Sequence, residues 1–183
     1  MCTIFISGSR NVKSLNIEIQ DRLNNILANN FLIIIGDANG VDKAVQQFLV
    51  EKGYHTVEVY CSGNSCRNNL GNWNSKYIDV KAKGRLFYEA KDKEMAQIAD
   101  YGFVIWDGGS IGSLNNIAEL VSQDKKSLVY YLPKRDFVIV KSNENLKSLL
   151  ENSTPDLLNK IKEKGSFYLK KCINKQEELH FSS

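Results

Sequence analysis

The 183-residue chain predicts an α/β fold of the Rossmann-like, doubly wound kind: a mainly parallel sheet with helices on both faces. Three observations predict it. Short β-branched and aromatic runs alternate with stretches whose apolar residues recur at helical spacing. The run Phe31-Leu32-Ile33-Ile34-Ile35 is apolar on both faces, as a central parallel strand covered on two sides must be. Three runs end in small, flexible residues, Gly8-Ser9-Arg10, Gly36-Asp37-Ala38 and Asp107-Gly108-Gly109-Ser110. In a parallel sheet such ends open on one edge, where open α/β sheets hold their ligands.

In chain order, Thr3-Ile4-Phe5-Ile6-Ser7 reads as a buried strand, and Ile17, Ile19, Leu23, Ile26 and Leu27 continue it as a helix after a glycine turn. Arg10 in that turn suits a bidentate contact to a phosphate or carboxylate. The second strand runs into Gly36-Asp37-Ala38-Asn39-Gly40-Val41-Asp42, followed by Ala44, Val45, Phe48 and Leu49 at helical spacing. Asp37 stands at a strand end, where a carboxylate accepts from ribose hydroxyls or a base amine. Asp42 falls in the first helical turn, where the macrodipole favours a negative charge whatever the function, and is read as structural. Thr56 to Tyr60 is a third strand. From Ser62 to Lys76 the chain holds five asparagines and two glycines with little apolar periodicity, a long polar loop around Trp73. That ring either stacks on a ligand base or anchors the loop.

A helix over Lys91 to Ala99 is expected, with Met95, Ile98 and Ala99 inward. Lys91 and Asp92 lie on its opening turn, where the dipole favours the aspartate and marks Lys91 as an anion contact. Phe103-Val104-Ile105-Trp106 is the central strand. It passes through Asp107-Gly108-Gly109-Ser110-Ile111-Gly112-Ser113 into a helix carrying Asn116, Ile117, Leu120 and Val121. Glycines there let a ligand approach the backbone, and the first amides of a helix have no internal acceptor. Ser127 to Leu132 and an edge strand over Phe137 to Val140 complete the sheet. Two helices follow, over Asn145 to Leu150 and from Thr154 as cap with Pro155. The stretch from Gly165 reads as a loose tail or a contact arm. The expected division is a Rossmann-like ligand domain over 1–133 and a strand-helix-helix extension over 134–183 packed on the same body.

Residues 1–133 carry 14 basic and 14 acidic groups and residues 134–183 carry 10 and 7, so the net charge of +3 sits in the extension. A neutral main body speaks against nucleic acid as partner. With no apolar run long enough to span a membrane and no secretory leader, a cytoplasmic protein without membrane partner is expected. Cys2, Cys61, Cys66 and Cys172 are expected as free or buried thiols, with no zinc or other metal, since His55 and His180 are badly placed to complete a site. No cofactor is implied: the G-x-G-x-x-G run and the P-loop Lys-Ser/Thr pair are both absent. A homo-oligomer is compatible with the sequence.

The three motifs at Gly8-Ser9-Arg10, Gly36 to Asp42 and Gly109-Ser110-Ile111-Gly112-Ser113 together resemble the SLOG superfamily of Rossmann-like domains, over roughly residues 2–132. The second is similar to the Gly-x-Ala-x-Gly-Ile-Asp of the Smf/DprA DNA-processing branch. The third is similar to the Gly-Gly-x-Gly-Thr-x-x-Glu of lonely-guy phosphoribohydrolases. The resemblance implies a nucleotide-like ligand with phosphate at the glycine-rich loop, and a role such as nucleotide sensing in bacterial or phage defence. It places Asn116 where the lonely-guy branch has its glutamate, and an amide cannot serve as general acid or base.

The leading expectation is therefore sensing or sequestration of a nucleotide. Its binding set is Gly8, Ser9, Arg10, Gly36, Asp37, Ala38, Gly40, Asp107, Gly108, Gly109, Ser110, Gly112, Ser113 and Asn116. Phosphate lies on the amides of 109–113, with base or ribose near Asp37 and Asn116. The alternative is an N-glycoside hydrolase or transferase, with Asn116, Glu119, Asp37 and Asp92 as catalytic candidates. A third expectation is single-stranded DNA binding through Arg10, Arg67, the lysines of the extension and Trp73.

Overall fold

The computed structural model of the chain describes residues 1–79, 81 and 84–180. Among these, seven strands form one sheet: β1 (Thr3–Gly8), β2 (Leu32–Gly36), β3 (Val57–Ser62), β4 (Asn74–Ile78), β5 (Tyr101–Trp106), β6 (Lys126–Tyr131) and β7 (Asp136–Val140). Their order is β4-β3-β2-β1-β5-β6-β7, with every pairing parallel except the antiparallel β6–β7 edge. The helices are α1 (Ile17–Ala28), α2 (Val41–Glu51), α3 (Arg85–Ile98), α4 (Ile111–Ser122), α5 (Asn143–Leu150), α6 (Pro155–Lys164) and α7 (Phe167–His180). This is the α/β, Rossmann-like doubly wound architecture that the alternation predicts. The chain direction across the sheet reverses between β1 and β5, so their carboxyl ends part to leave a crevice.

The period-2 alternation of the strands divides the core. Ile4, Ile6, Ile33, Ile35, Val57 and Val59 face one side and meet Ile19, Leu23 and Ile26 of α1 and Val45, Phe48 and Leu49 of α2. Phe5, Ile34 and Tyr60 face the other side against Met95, Ala96 and Ala99. A further core joins Val104, Trp106, Val129 and Val140 of the sheet to Leu114, Ile117 and Val121 of α4, and to buried residues of α5, α6 and α7. Helix α4 thus packs on the sheet with one face and under the C-terminal helices with another. Side-chain oxygens of Asn16, Ser110, Ser142 and Thr154 cap α1, α4, α5 and α6 at the third amide of each.

Several expectations are corrected. The polar stretch of 62–76 ends in a strand, β4, held by parallel pairing to β3 from Glu58↔Asn74 to Ser62↔Ile78. Trp73 anchors that stretch: it is buried in the core and its indole Nε1 donates to the Tyr54 carbonyl at 3.0 Å. No ring there is left to stack on a base. Cys61 and Cys66 are joined as a disulfide, not free thiols. Helix α3 begins at Arg85, so Lys91 and Asp92 lie in its middle, where the dipole argument for Lys91 lapses. Its inward stripe is Lys91, Met95, Ala96 and Ala99, while Ile98 is exposed. The stretch after Gly165 forms α7, with Leu169, Cys172 and Ile173 buried. Among the described residues no helix is long and apolar enough to cross a membrane.

Candidate functional site

A cavity of about 640 Å³ opens at the carboxyl ends of β1, β2 and β5, the strand ends singled out by their glycines. Its floor is Phe5 and Ser7 of β1 and Gly36 of β2, on the α3 side of the sheet, with Gly8 closing the end of β1. One wall is α3, through Tyr88, Lys91, Asp92 and Met95; the other is the first turns of α4, through Ile111, Gly112, Ser113 and Asn116. A hydrogen bond from Asn115 Nδ2 to Glu89 Oε1, 3.3 Å long, ties the two walls together. Two glycines exist for close approach. A Cβ at Gly8 would collide with the Ile105 carbonyl and the Val41 side chain, and one at Gly40, whose φ is +86°, would collide with the Arg10 backbone. The amide of Val41 donates to the Ser9 carbonyl at 3.2 Å, so the loop after β2 clamps the loop after β1.

The loop after β5 answers much of its own hydrogen-bond demand. Asp107 Oδ1 accepts from the amides of Gly109 at 3.0 Å and Ser110 at 2.8 Å. Burial would raise the Asp107 carboxyl, but these two amides and neighbouring donors outweigh it and hold its pKa below the ordinary value. Ser110 Oγ accepts from the Ser113 amide at 3.4 Å, and the Ser113 hydroxyl lies 3.4 Å from that of Ser9, which in turn accepts from the Asp107 amide at 3.0 Å. The anion nest expected over 109–113 therefore narrows to the amides of Ile111 and Gly112, the first two of α4, which have no acceptor among the described residues. Gly112 keeps them approachable, since a Cβ there would meet nothing nearer than Ser110 Oγ at 4.0 Å.

Beside the floor lies an ionic cluster in which Asp37, Asp42 and Lys91 are buried. Asp37 is 2 % exposed and fully engaged by Arg67, whose Nε and Nη2 donate to Oδ2 at 3.1 Å and Oδ1 at 2.6 Å while its amide donates to Oδ2 at 3.0 Å. Burial opposes ionisation of Asp37, but Arg67 and then Lys91 hold its pKa below the ordinary value. The carboxylate expected to read a ribose is thus spent on docking the polar loop, helped by Asn68 Nδ2 on the Asp37 carbonyl at 2.8 Å. Lys91, 3 % exposed, sets its ammonium 3.0 Å from Asp92 Oδ1 and 3.9 Å from Asp37 Oδ1. Burial would lower its pKa, yet Asp92 and Asp42 more than compensate and it lies above the ordinary value. Asp42 accepts from the Ala38 amide at 3.1 Å through Oδ2. Burial, offset in part by Lys91 and reinforced by Asp92 and Asp37, pushes its carboxyl up to about 6. Gly36 is small because this cluster presses on it: a Cβ there would strike both Lys91 Nζ and Asp42 Oδ2.

Of the catalytic candidates, Asn116 and Asp92 line the cavity, whereas Asp37 lies behind it under Arg67 and Glu119 is turned away, with Gln123 Nε2 donating to its Oε1 at 3.3 Å. Gly8, Arg10, Gly36, Ala38, Asp107, Gly109, Ser110, Gly112 and Ser113 come together around the cavity; Ser9 and Gly40 hold its loops, and Gly108, at φ +84°, turns the chain. Sequence reading missed Ser7, Tyr88, Glu89 and Lys160, and gave Asp42 no place in the site. Tyr88 and Glu89 escaped it because α3 was expected to begin after them. Tyr88 is the aromatic side chain at the rim, with the guanidinium of Arg67 4.7 Å and that of Arg10 5.7 Å from its ring centre. Lys160 arrives from α6, its ammonium 2.6 Å from Asp156 one turn earlier. Among the described residues no three His, Cys, Asp or Glu side chains meet so as to hold a metal ion. No protein-family model, no curated protein and no solved structure matches the chain.

Proposed function

We propose that the chain binds a nucleotide or nucleotide-derived ligand in this cavity, for sensing or sequestration. The observation that carries the reading is the pair of open amides of Ile111 and Gly112, at the head of a helix that faces the β1/β5 crevice. Phosphate sits on those amides, Arg10 approaches it from the end of β1, and the base lies toward Tyr88 and Asn116. The resemblance of the three motifs to SLOG domains supports the same assignment, and a cytoplasmic setting is proposed with it. Isothermal calorimetry against nucleoside monophosphates, ADP-ribose and cyclic nucleotides tests it. Replacing Ile111 by Pro deletes one of the two donors while suiting the first position of a helix, and Ser110 already has the extended backbone (φ −73°, ψ 113°) that must precede a proline. Loss of one charge-assisted hydrogen bond predicts affinity about tenfold weaker. No binding by any member of the panel to folded protein overturns the reading.

One observation favours a second reading, cleavage of the N-glycosidic bond: two carboxyls, Asp92 and Asp42, line the cavity, and one of them titrates near neutrality. Assay of the calorimetric samples for free base separates binding from turnover.

A further inference from the structure

The inner end of the cavity is lined by polar groups that the fold itself leaves short of partners. Ser7 Oγ is buried, its residue 5 % exposed, and it has no hydrogen-bond partner among the described residues. Such a hydroxyl, buried and unpaired, is costly to keep unless something answers it. Among the described residues Asp42 receives one donor, the Ala38 amide on Oδ2, and none on Oδ1; Asp92 receives Lys91 on Oδ1 and none on Oδ2. Acceptor positions on Asp42 and Asp92 therefore stand open at this end, beside the unpaired Ser7 hydroxyl.

Charge narrows what can satisfy them. Asp37, Asp42 and Asp92 already share the cations Lys91 and Arg67, and a cationic group entering the cavity would meet the Lys91 ammonium at this same end. The complement is a group that donates hydrogen bonds and carries no charge. Space narrows it further. Ser7 and Gly36 keep the floor of the 640 Å³ cavity free of large side chains. Ser7 stands two residues before Ser9, whose hydroxyl meets Ser113 in the first turn of α4. Two residues of extended chain span about 6.6 Å, so Ser7 lies about one pentose away from the first turn of α4.

We infer that Ser7, Asp42 and Asp92 form a subsite for the ring hydroxyls of a phosphorylated pentose, so that the ligand is a ribonucleotide-type molecule and not its deoxy counterpart. The inference rests on the phosphate reading of the Ile111 and Gly112 amides. The test compares wild-type affinity for each of the four ribonucleoside 5′-monophosphates with that for its 2′-deoxy and 3′-deoxy forms, then repeats the comparison with Ser7→Ala and Asp42→Asn. Removal of at least one hydroxyl is expected to weaken wild-type binding at least tenfold, because the site's buried acceptors are left unpaired. Both variants are expected to bring that ratio close to one. Ser7→Ala removes a single oxygen that no other group uses, so it reports on the subsite even where Asp42→Asn disturbs folding. Deoxy forms that bind wild type as tightly as ribo forms, or a ratio that survives Ser7→Ala, overturn the inference while leaving the phosphate site standing. Absence of binding by every ribonucleotide overturns both.

Discussion

The Asp42 carboxyl stands near a buried lysine and still titrates as a weak acid, at about 6, because burial outweighs the attraction of Lys91 and two further carboxylates add to it. That value lies above the roughly 3.9 of an unfolded aspartate. Between the two, the folded chain holds a proton that the unfolded chain has released, so this group's contribution to stability falls as pH rises from about 4 through about 6. Asp37 and Asp107 act in the opposite sense: their folded values are lowered, so their contribution is present at neutral pH and is lost on acidification. Asp42→Asn removes only the first effect. Its melting temperature relative to wild type is expected to rise between pH 4 and pH 6 and to level off above, as thermal unfolding at a series of pH values would show. A difference independent of pH would mean that Asp42 ionises in the folded chain as it does in the unfolded one.

At the scale of elements, what was legible in the sequence follows from where the apolar residues are. Strands β1, β2, β5 and β6 are buried on both faces, and helices α1, α2 and α4 carry a clear apolar stripe, so periodicity placed them. The three glycine-bearing loops were found with them, because a close approach such as that of Gly40 to the Arg10 backbone leaves a mark in residue type. Helix α3 was cut short because its inward stripe contains a lysine: Lys91 is buried by ionic partners, which a hydrophobic pattern cannot register. The same blindness hid the Arg67–Asp37 pair and made Asp37 look available for a ligand. Trp73 was ambiguous since its neighbours are polar, yet its ring packs in the first core and its indole bonds to Tyr54. Trp73→Ala is expected to cost about 3–5 kcal/mol of stability and to loosen the segment from Cys66 to β4. Urea denaturation and amide hydrogen exchange of residues 66–78 would check this; unchanged exchange there would show that the disulfide and Arg67 hold the segment unaided.

Across the whole molecule, α4 belongs to two structures at once. Its amino end makes the cavity wall, and its apolar length is covered by α5, α6 and α7 through Leu146, Leu150, Leu157, Ile161 and Leu169. A chain ending at residue 142 would uncover that face together with Val104, Trp106 and Val140. It is expected to bind a hydrophobic dye and to aggregate, readings that fluorescence and light scattering supply; a monodisperse, dye-free truncate would show that the body up to β7 closes its core alone. At the opposite margin of the sheet, β4 offers Asn74, Ser75 and Lys76 beside Tyr77, with backbone groups along one side that no strand among the described residues answers. The polarity that concealed this strand from a hydrophobicity reading also protects it: a neighbouring chain would gain little greasy contact by extending the sheet there, and would have to accommodate a lysine on the way in. Its obscurity in the amino-acid record and its poor fit as a template for another strand have one cause.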